Sequence, residues 1–247
     1  MRIACIIPAR FASTRLPGKP LLDIAGKPMI QHVVERVRLA SRAGRIIVAT
    51  DDERIFSAVR DFGGEAWMTA DSHPTGTDRL AEVAARLPDV DLIVNVQGDE
   101  PLIPPASIDA LIAAFDDRPD LQMASLMTAL AEEDADNPAA VKVVAGVDGN
   151  ALYFSRYPVP FLRNGGTAVR RFKHIGVYAY RREFLLHFAT LQPTPLEQAE
   201  SLEQLRALEH GVKIRMIETV FPSVGVDTPD DLQRVRALFE KMQEKQI

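Results

Sequence analysis

Apolar residues follow two rhythms that alternate through the first half of the chain. Ile3 to Ile7 is continuously apolar, the pattern of a strand buried on both faces. From Pro28 onward, Ile30, Val33, Val34 and Val37 recur at helical spacing. Gly44 is expected to end that stretch, and Arg45-Ile46-Ile47-Val48-Ala49 reads as the next strand. The cycle continues with a helix from about Asp52, a short strand at Ala66-Trp67-Met68, a helix around Arg79 to Leu87 and a strand at Leu92-Ile93-Val94-Asn95-Val96. This alternation predicts an α/β fold: a mostly parallel, doubly wound, Rossmann-like sheet covered by helices on both faces.

Beyond about Leu121 the rhythm changes. Val141 to Val147 and Ala151 to Phe154 read as strands flanking the turn Asp148-Gly149-Asn150. Lys173 to Tyr180 reads as another strand, and Leu196 to Leu208 as one helix, apolar at Leu196, Leu202, Leu205 and Leu208. Arg163 to Thr167 has loop chemistry. Asp227-Thr228-Pro229 has the capping residue and first-turn proline of a helix start. The expected organisation is one domain over 1–247, with a smaller β-rich subregion inserted around 125–200.

Composition changes this picture only by exclusion. At 247 residues and 47% apolar, the chain is long enough to bury a full core without staples. Its 29 Lys and Arg against 34 Asp and Glu give a net charge of -5, which argues against nucleic acid as a partner. No run of about 18 apolar residues is present, so no membrane span is expected, and the first residues turn polar too soon for a signal peptide. Cys5, the single cysteine, lies in a strand-like run and forms no intramolecular disulfide; a reducing, cytoplasmic setting follows as the default.

In open parallel sheets, ligands bind outside the carboxyl ends of the strands, so the loops after the strands carry the candidate chemistry. The loop from Pro8 to Pro20 collects Arg10, Arg15 and Lys19 without an acid, a set suited to a polyphosphate. It is not a Walker loop, because Gly18-Lys19 is followed by Pro20 rather than Ser or Thr. Gln97-Gly98-Asp99-Glu100-Pro101 places a carboxylate at a strand end, where it can ligate Mg²⁺ or merely cap the next helix. Asp227 has the same two readings. A basic loop with two such carboxylates makes a coherent set for metal-assisted nucleotidyl transfer. Thr75-Gly76-Thr77-Asp78-Arg79 reads first as a capped helix start. Residues 174, 176, 178 and 180 share one strand face, on which Gly176 leaves room between His174 and Tyr178. Glu203-Gln204 reads as a solvated helix face.

Several stretches, in order, carry a resemblance. Ile7-Pro8-Ala9-Arg10 through Leu16-Pro17-Gly18-Lys19-Pro20-Leu21 is similar to the nucleotide loop of sugar nucleotidyltransferases. Val48-Ala49-Thr50-Asp51, Thr75 to Glu82, Val94 to Pro101, Ala151 to Arg156, Lys173 to Tyr178, Leu202 to Arg206 and Gly225 to Pro229 narrow it. Together they resemble the 3-deoxy-manno-octulosonate (KDO) cytidylyltransferase family. The resemblance implies a cytoplasmic, Mg²⁺-dependent homodimer that joins CTP and KDO into CMP-KDO and pyrophosphate for the lipopolysaccharide inner core. By that likeness Lys19, Arg10 and Asp99 are catalytic. Arg10, Arg15, Lys19, Thr75, Asp78, Arg79 and Gln97 hold the nucleotide. Gln97, Arg156, His174, Tyr178, Glu203 and Gln204 hold the sugar, with Arg156 on its carboxylate, and Asp99 and Asp227 hold the metal. The β-rich subregion becomes the dimerising and sugar-closing part. The segment between Arg156 and His174 is shorter than the family pattern, and Asp78 stands where Glu is common. Activation of 8-amino-KDO or another acidic sugar, and a nucleotide-binding protein without turnover, are the alternatives.

Overall fold

The computed structural model describes every residue except 13–15, 164–168, 221–223 and 245–247, together with the side chains of Gln243 and Glu244. The chain divides into two compact units, Met1–Asp109 with Ser223–Ile247, and Ala110–Pro222.

The first unit runs β1 (Ile3–Ala9), a small hairpin of β2 (Asp23–Ile24) and β3 (Lys27–Pro28), α1 (Met29–Arg38), β4 (Arg45–Thr50), α2 (Glu53–Asp61), β5 (Ala66–Met68), α3 (Gly76–Ala85) and β6 (Leu92–Asn95). Its large strands are all parallel, in the order β6-β1-β4-β5. Cys5 of β1 lies between Val94 and Ile46 in register, so the continuous apolar run is buried from both sides. On α1, Ile30, Val33, Val34 and Val37 are all buried, as their spacing predicts. Gly44 does a different job from the expected one. The helix already stops at Arg38, and Gly44 has φ +64 at a place where any side chain would collide with the Ile3 carbonyl at the start of β1. At α2, Asp52 caps the helix by accepting the Arg54 N–H at 2.9 Å.

A helix α4 (Pro105–Ala113) carries the chain into the second unit. That unit contains β7 (Met123–Ala129), β8 (Lys142–Ala145), β9 (Ala151–Ser155), β10 (Phe172–Arg181), α5 (Arg182–Phe188), α6 (Pro195–Glu200), α7 (Gln204–Glu209) and β11 (Ile214–Glu218). It is the β-rich part. β10 runs antiparallel to β7 and β8, β8 and β9 form a hairpin, and β11 is parallel to β7. The hairpin turns at Gly149, with φ +73. The register of β10 on β7 slips between Ile175 and Tyr178, a bulge at Gly176-Val177. The single helix expected over Leu196 to Leu208 is two helices. Thr194 opens the first with a capping box to Glu197, and Ser201 ends it in the left-handed conformation, φ 51. The Glu200 and Ser201 carbonyls accept from Arg156 instead of continuing a helical ladder. After this unit the chain returns to the first with α8 (Pro229–Glu244).

Candidate active site

In the first unit, three distant stretches converge on one ammonium. Lys19 opens a 3-10 turn entered through Gly18, whose φ of 68 is left-handed. The Gly18 N–H donates to the Phe11 carbonyl at 3.0 Å, closing the basic loop so that Lys19 projects from a fixed base. Gly98 lets the chain after β6 pass the end of β1, since a Cβ there would lie 2.9 Å from the Pro8 carbonyl oxygen. Asp99 then presents its carboxylate. The Val226 N–H donates to the Asp99 carbonyl at 2.9 Å, which ties the approach to α8 alongside. Beneath this junction Leu16, Ile24, Met29, Val226, Leu232 and Val235 form one apolar cluster, so burial of those side chains locks the three backbones together.

Lys19 Nζ donates to Asp99 Oδ2 at 2.6 Å, to the Val226 carbonyl at 3.0 Å and to Asp227 Oδ1 at 3.3 Å. Burial disfavours its charge, but Asp99 and then Asp227 outweigh burial and hold the ammonium above the ordinary lysine value. The two readings of Asp227 are thereby separated. The helix is capped by its neighbour: Thr228 Oγ1 accepts the Asp231 N–H at 3.2 Å, and Asp231 Oδ2 accepts the Thr228 N–H at 2.9 Å. The Asp227 carboxylate is left to meet Lys19.

The first unit also holds a second cationic group. Arg10 Nη1 donates to the Pro74 carbonyl at 3.3 Å, while its Nη2 is buried without a partner among the described residues. Burial first, and the neighbouring Arg79 second, lower its pKa. A half-buried guanidinium with an unspent, buried Nη2 beside a second cation is an anion-binding arrangement. Arg79 itself does not face outward. It is fully buried, giving Nη2 to Asp51 Oδ2 at 2.5 Å and Nη1 to Thr69 Oγ1, so it supports the site from below. Thr75 and Asp78 form the capping box of α3, with Thr75 Oγ1 donating to Asp78 Oδ2 at 2.7 Å; their capping reading holds in this structure. Gln97 Nε2 donates to Asn95 Oδ1 at 3.4 Å. Arg15 lies outside the described residues.

The other sugar candidates, Arg156, His174, Tyr178, Glu203 and Gln204, belong to the second unit, while Gln97 lies in the first. Along β9 and β10, Phe154, His174 and Tyr178 form an aromatic row, with ring centroids 4.9 Å and 5.4 Å apart. Burial lowers the His174 pKa to about 3, so the imidazole is neutral. Burial, and then the charge of Glu203, push the Tyr178 hydroxyl upward, which puts Glu203 beside this row. Gln204 is buried, and its Nε2 has no partner among the described residues. The solvated-face reading of that residue is therefore overturned. Arg156 donates Nε to the Glu200 carbonyl at 2.7 Å, Nη1 to Pro138 at 3.0 Å and Nη2 to Ser201 at 3.2 Å. A guanidinium has five N–H bonds. Among the described residues, one on each terminal nitrogen is left, the number a bidentate carboxylate takes.

Sequence reasoning missed four supporting groups: Asp51 under Arg79, the Val226 carbonyl on Lys19, Glu200 on Arg156, and Ser125 on His174 at 2.8 Å. Of these, Ser125 carried a signal as a hydroxyl inside the apolar run from Met123 to Met127, and Asp51 as a carboxylate just after a predicted strand.

Comparison with known proteins identifies the family. The family model described as cytidylyltransferase matches residues 4–214. A 3-deoxy-manno-octulosonate cytidylyltransferase from Geotalea daltonii is 56% identical, over 95% of this chain and 97% of its own. Its namesakes from Geobacter sulfurreducens and Myxococcus xanthus are 54% and 53% identical, covering 95% and 96% of this chain and 98% and 96% of theirs. The solved structure of CMP:2-keto-3-deoxy-manno-octonic acid synthetase complexed with CTP is 47% identical and superposes with a TM-score of 0.94, over 98% of this chain and all of that one. A cytidylyltransferase from Leptospira borgpetersenii, 15% identical with a TM-score of 0.65 over 98% of this chain and 87% of its own, shares the fold alone.

Proposed function

The chain belongs to the 3-deoxy-manno-octulosonate cytidylyltransferase family, and from that premise we propose that it transfers the cytidylyl group of CTP to KDO, forming CMP-KDO and releasing pyrophosphate. The observation that carries this reading is the Lys19 ammonium held between the carboxylates of Asp99 and Asp227. In the reaction the anomeric hydroxyl oxygen of the sugar forms a bond to the α-phosphorus, the bond from that phosphorus to the bridging oxygen breaks, and the hydroxyl proton is released.

Each residue's part follows from its state. Lys19 stays an ammonium because its pKa is raised, so it is not the base; it offsets charge that develops on the reacting phosphate. Arg10 brings unspent N–H groups to the triphosphate, with Arg15 and Gln97 as further contacts and Thr75, Asp78 and Arg79 shaping the wall. Arg156 takes the sugar carboxylate through its two remaining N–H bonds. His174, Tyr178, Glu203 and Gln204 receive the sugar hydroxyls; the neutral imidazole and the buried Gln204 Nε2, without a partner among the described residues, are suited to that.

Two carboxylates gathered on one cation are a donor set that fits Mg²⁺, which commonly takes one or two protein carboxylates and completes its shell with phosphate oxygens and water. Asp99 and Asp227 would hold it, and when bound it supplies polarisation of the phosphoryl oxygens and a lower pKa for a hydroxyl it touches. The proposal extends to a cytoplasmic homodimer serving the lipopolysaccharide inner core. Support for the dimer comes from apolar side chains exposed on the second unit, among them Tyr157 at 75% and Phe161 at 85%. The test is pyrophosphate release across the four nucleotides with KDO, 8-amino-KDO and sialic acid, with and without Mg²⁺. Release with CTP and KDO is expected, and none above background with either KDO compound overturns the assignment.

A further inference from the structure

Ser125 sits on β7, fully buried, facing the bulge of β10. Its Oγ lies 2.9 Å from the Val177 carbonyl oxygen, 3.2 Å from that of Ile175 and 2.8 Å from His174 Nε2. A hydroxyl has one proton to donate, whereas a carbonyl can only accept. The bulge aims two carbonyls at Ser125 in a buried place, so its proton belongs to one of them and a lone pair is turned to the imidazole. His174 Nε2 must then carry the hydrogen.

We propose that Ser125 is a positioning residue: it fixes His174 as the Nε2–H tautomer and so offers the bare Nδ1 as an acceptor to a hydroxyl of the sugar. The inference rests on the reading of His174 as a sugar contact and adds to it which nitrogen makes the contact and what enforces the choice. Because burial keeps the ring neutral throughout the assay range, protonation does not obscure the tautomer, and the second-strand hydroxyl decides it. Gly176, which leaves the bulge without a side chain between His174 and Tyr178, completes the device.

The tautomer is read directly from ¹⁵N shifts of the histidine ring nitrogens in the labelled full-length protein, with His174 assigned by its loss in His174→Gln. The parent is expected to show protonated Nε2 and bare Nδ1. Ser125→Ala is expected to mix the tautomers and to raise the KM for KDO about tenfold while leaving the KM for CTP unchanged. Ser125→Thr, which keeps the hydroxyl, is expected to retain the parent tautomer even if the alanine variant folds poorly. A bare Nε2 in the parent overturns the proposal, as does Ser125→Thr with mixed tautomers. Mixed tautomers in Ser125→Ala with an unchanged KM for KDO overturn the sugar contact alone. Failure of the parent to turn over KDO overturns the underlying functional reading, and the sugar contact with it, whatever the spectrum shows.

Discussion

The Glu200 carboxylate accepts the Arg156 backbone N–H at 2.9 Å, while the Glu200 carbonyl accepts the same residue's Nε–H at 2.7 Å. The two residues hold each other twice, once through each backbone. Ser155 Oγ also donates to that carboxylate, at 2.7 Å, as does the Tyr153 hydroxyl at 3.4 Å. The end of β9 is thereby joined to the break between α6 and α7, just before Glu203 and Gln204.

Glu200→Ala is therefore expected to act on the sugar and not on the nucleotide. Loss of the carboxylate leaves a backbone N–H and two hydroxyls seeking partners, at a cost to stability of about 1–3 kcal/mol. Steady-state kinetics should show a raised KM for KDO with the KM for CTP unchanged. Arg156→Lys is expected to behave similarly, because an ammonium cannot serve three carbonyls and a carboxylate in one plane. Equal effects on both substrates would contradict the role.

Asp99→Asn is expected to lower kcat by about a hundredfold or more, with the fold retained, since the amide still fills the place but loses the charge opposite Lys19. Asp227→Asn should be milder: its carboxylate is more exposed, 57% against 29%, and lies farther from Nζ. Circular dichroism and pyrophosphate release on the same samples check this, and an undiminished rate in Asp99→Asn would contradict it.

The buried imidazole makes a pH prediction with a definite sign. Its folded pKa of about 3 lies below the ordinary 6.5, so the unfolded chain takes up the proton first. Stability from this group is intact above the ordinary value and declines as pH falls toward the folded one, with a limiting slope of about 1.4 kcal/mol per pH unit. Urea unfolding of the parent and of His174→Gln at several pH values should show the shallower acid decline in the variant.

Gly98→Ala places a Cβ 2.9 Å from the Pro8 carbonyl oxygen, a backbone atom that cannot swing aside. We expect about 1–3 kcal/mol of lost stability and a fall in kcat greater than any change in KM, because the displaced strand end carries Asp99. Unchanged thermal unfolding would show that the two strands have more room than this packing allows.

Periodicity made most of the first unit legible. The strand at Ile3 to Ile7 and the helix over Ile30 to Val37 bury the residues their spacing picks out. It failed at Ser201, where the apolar positions on either side suit one helix and the interruption comes from distant Arg156 taking the local carbonyls. At the site, local reading left Asp227 open because Thr228 and Asp231 close the cap three residues apart while Lys19 is 208 residues away. Arg79 illustrates the reverse: the family resemblance assigns it to the nucleotide, yet Asp51 and Thr69 take it into the interior. Both cases turn on long-range partners, which spacing along the chain does not encode.

The division of the chain has an evolutionary consequence. The lysine with its paired acids is written entirely into Met1–Asp109 and Ser223–Ile247, and the aromatic row with Arg156 entirely into Ala110–Pro222. On the proposed roles, donor chemistry and most of the acceptor contacts are thus separate paragraphs of one text: drift or recombination within the middle segment would revise which acid is accepted while the machinery proposed to split the triphosphate is inherited unaltered.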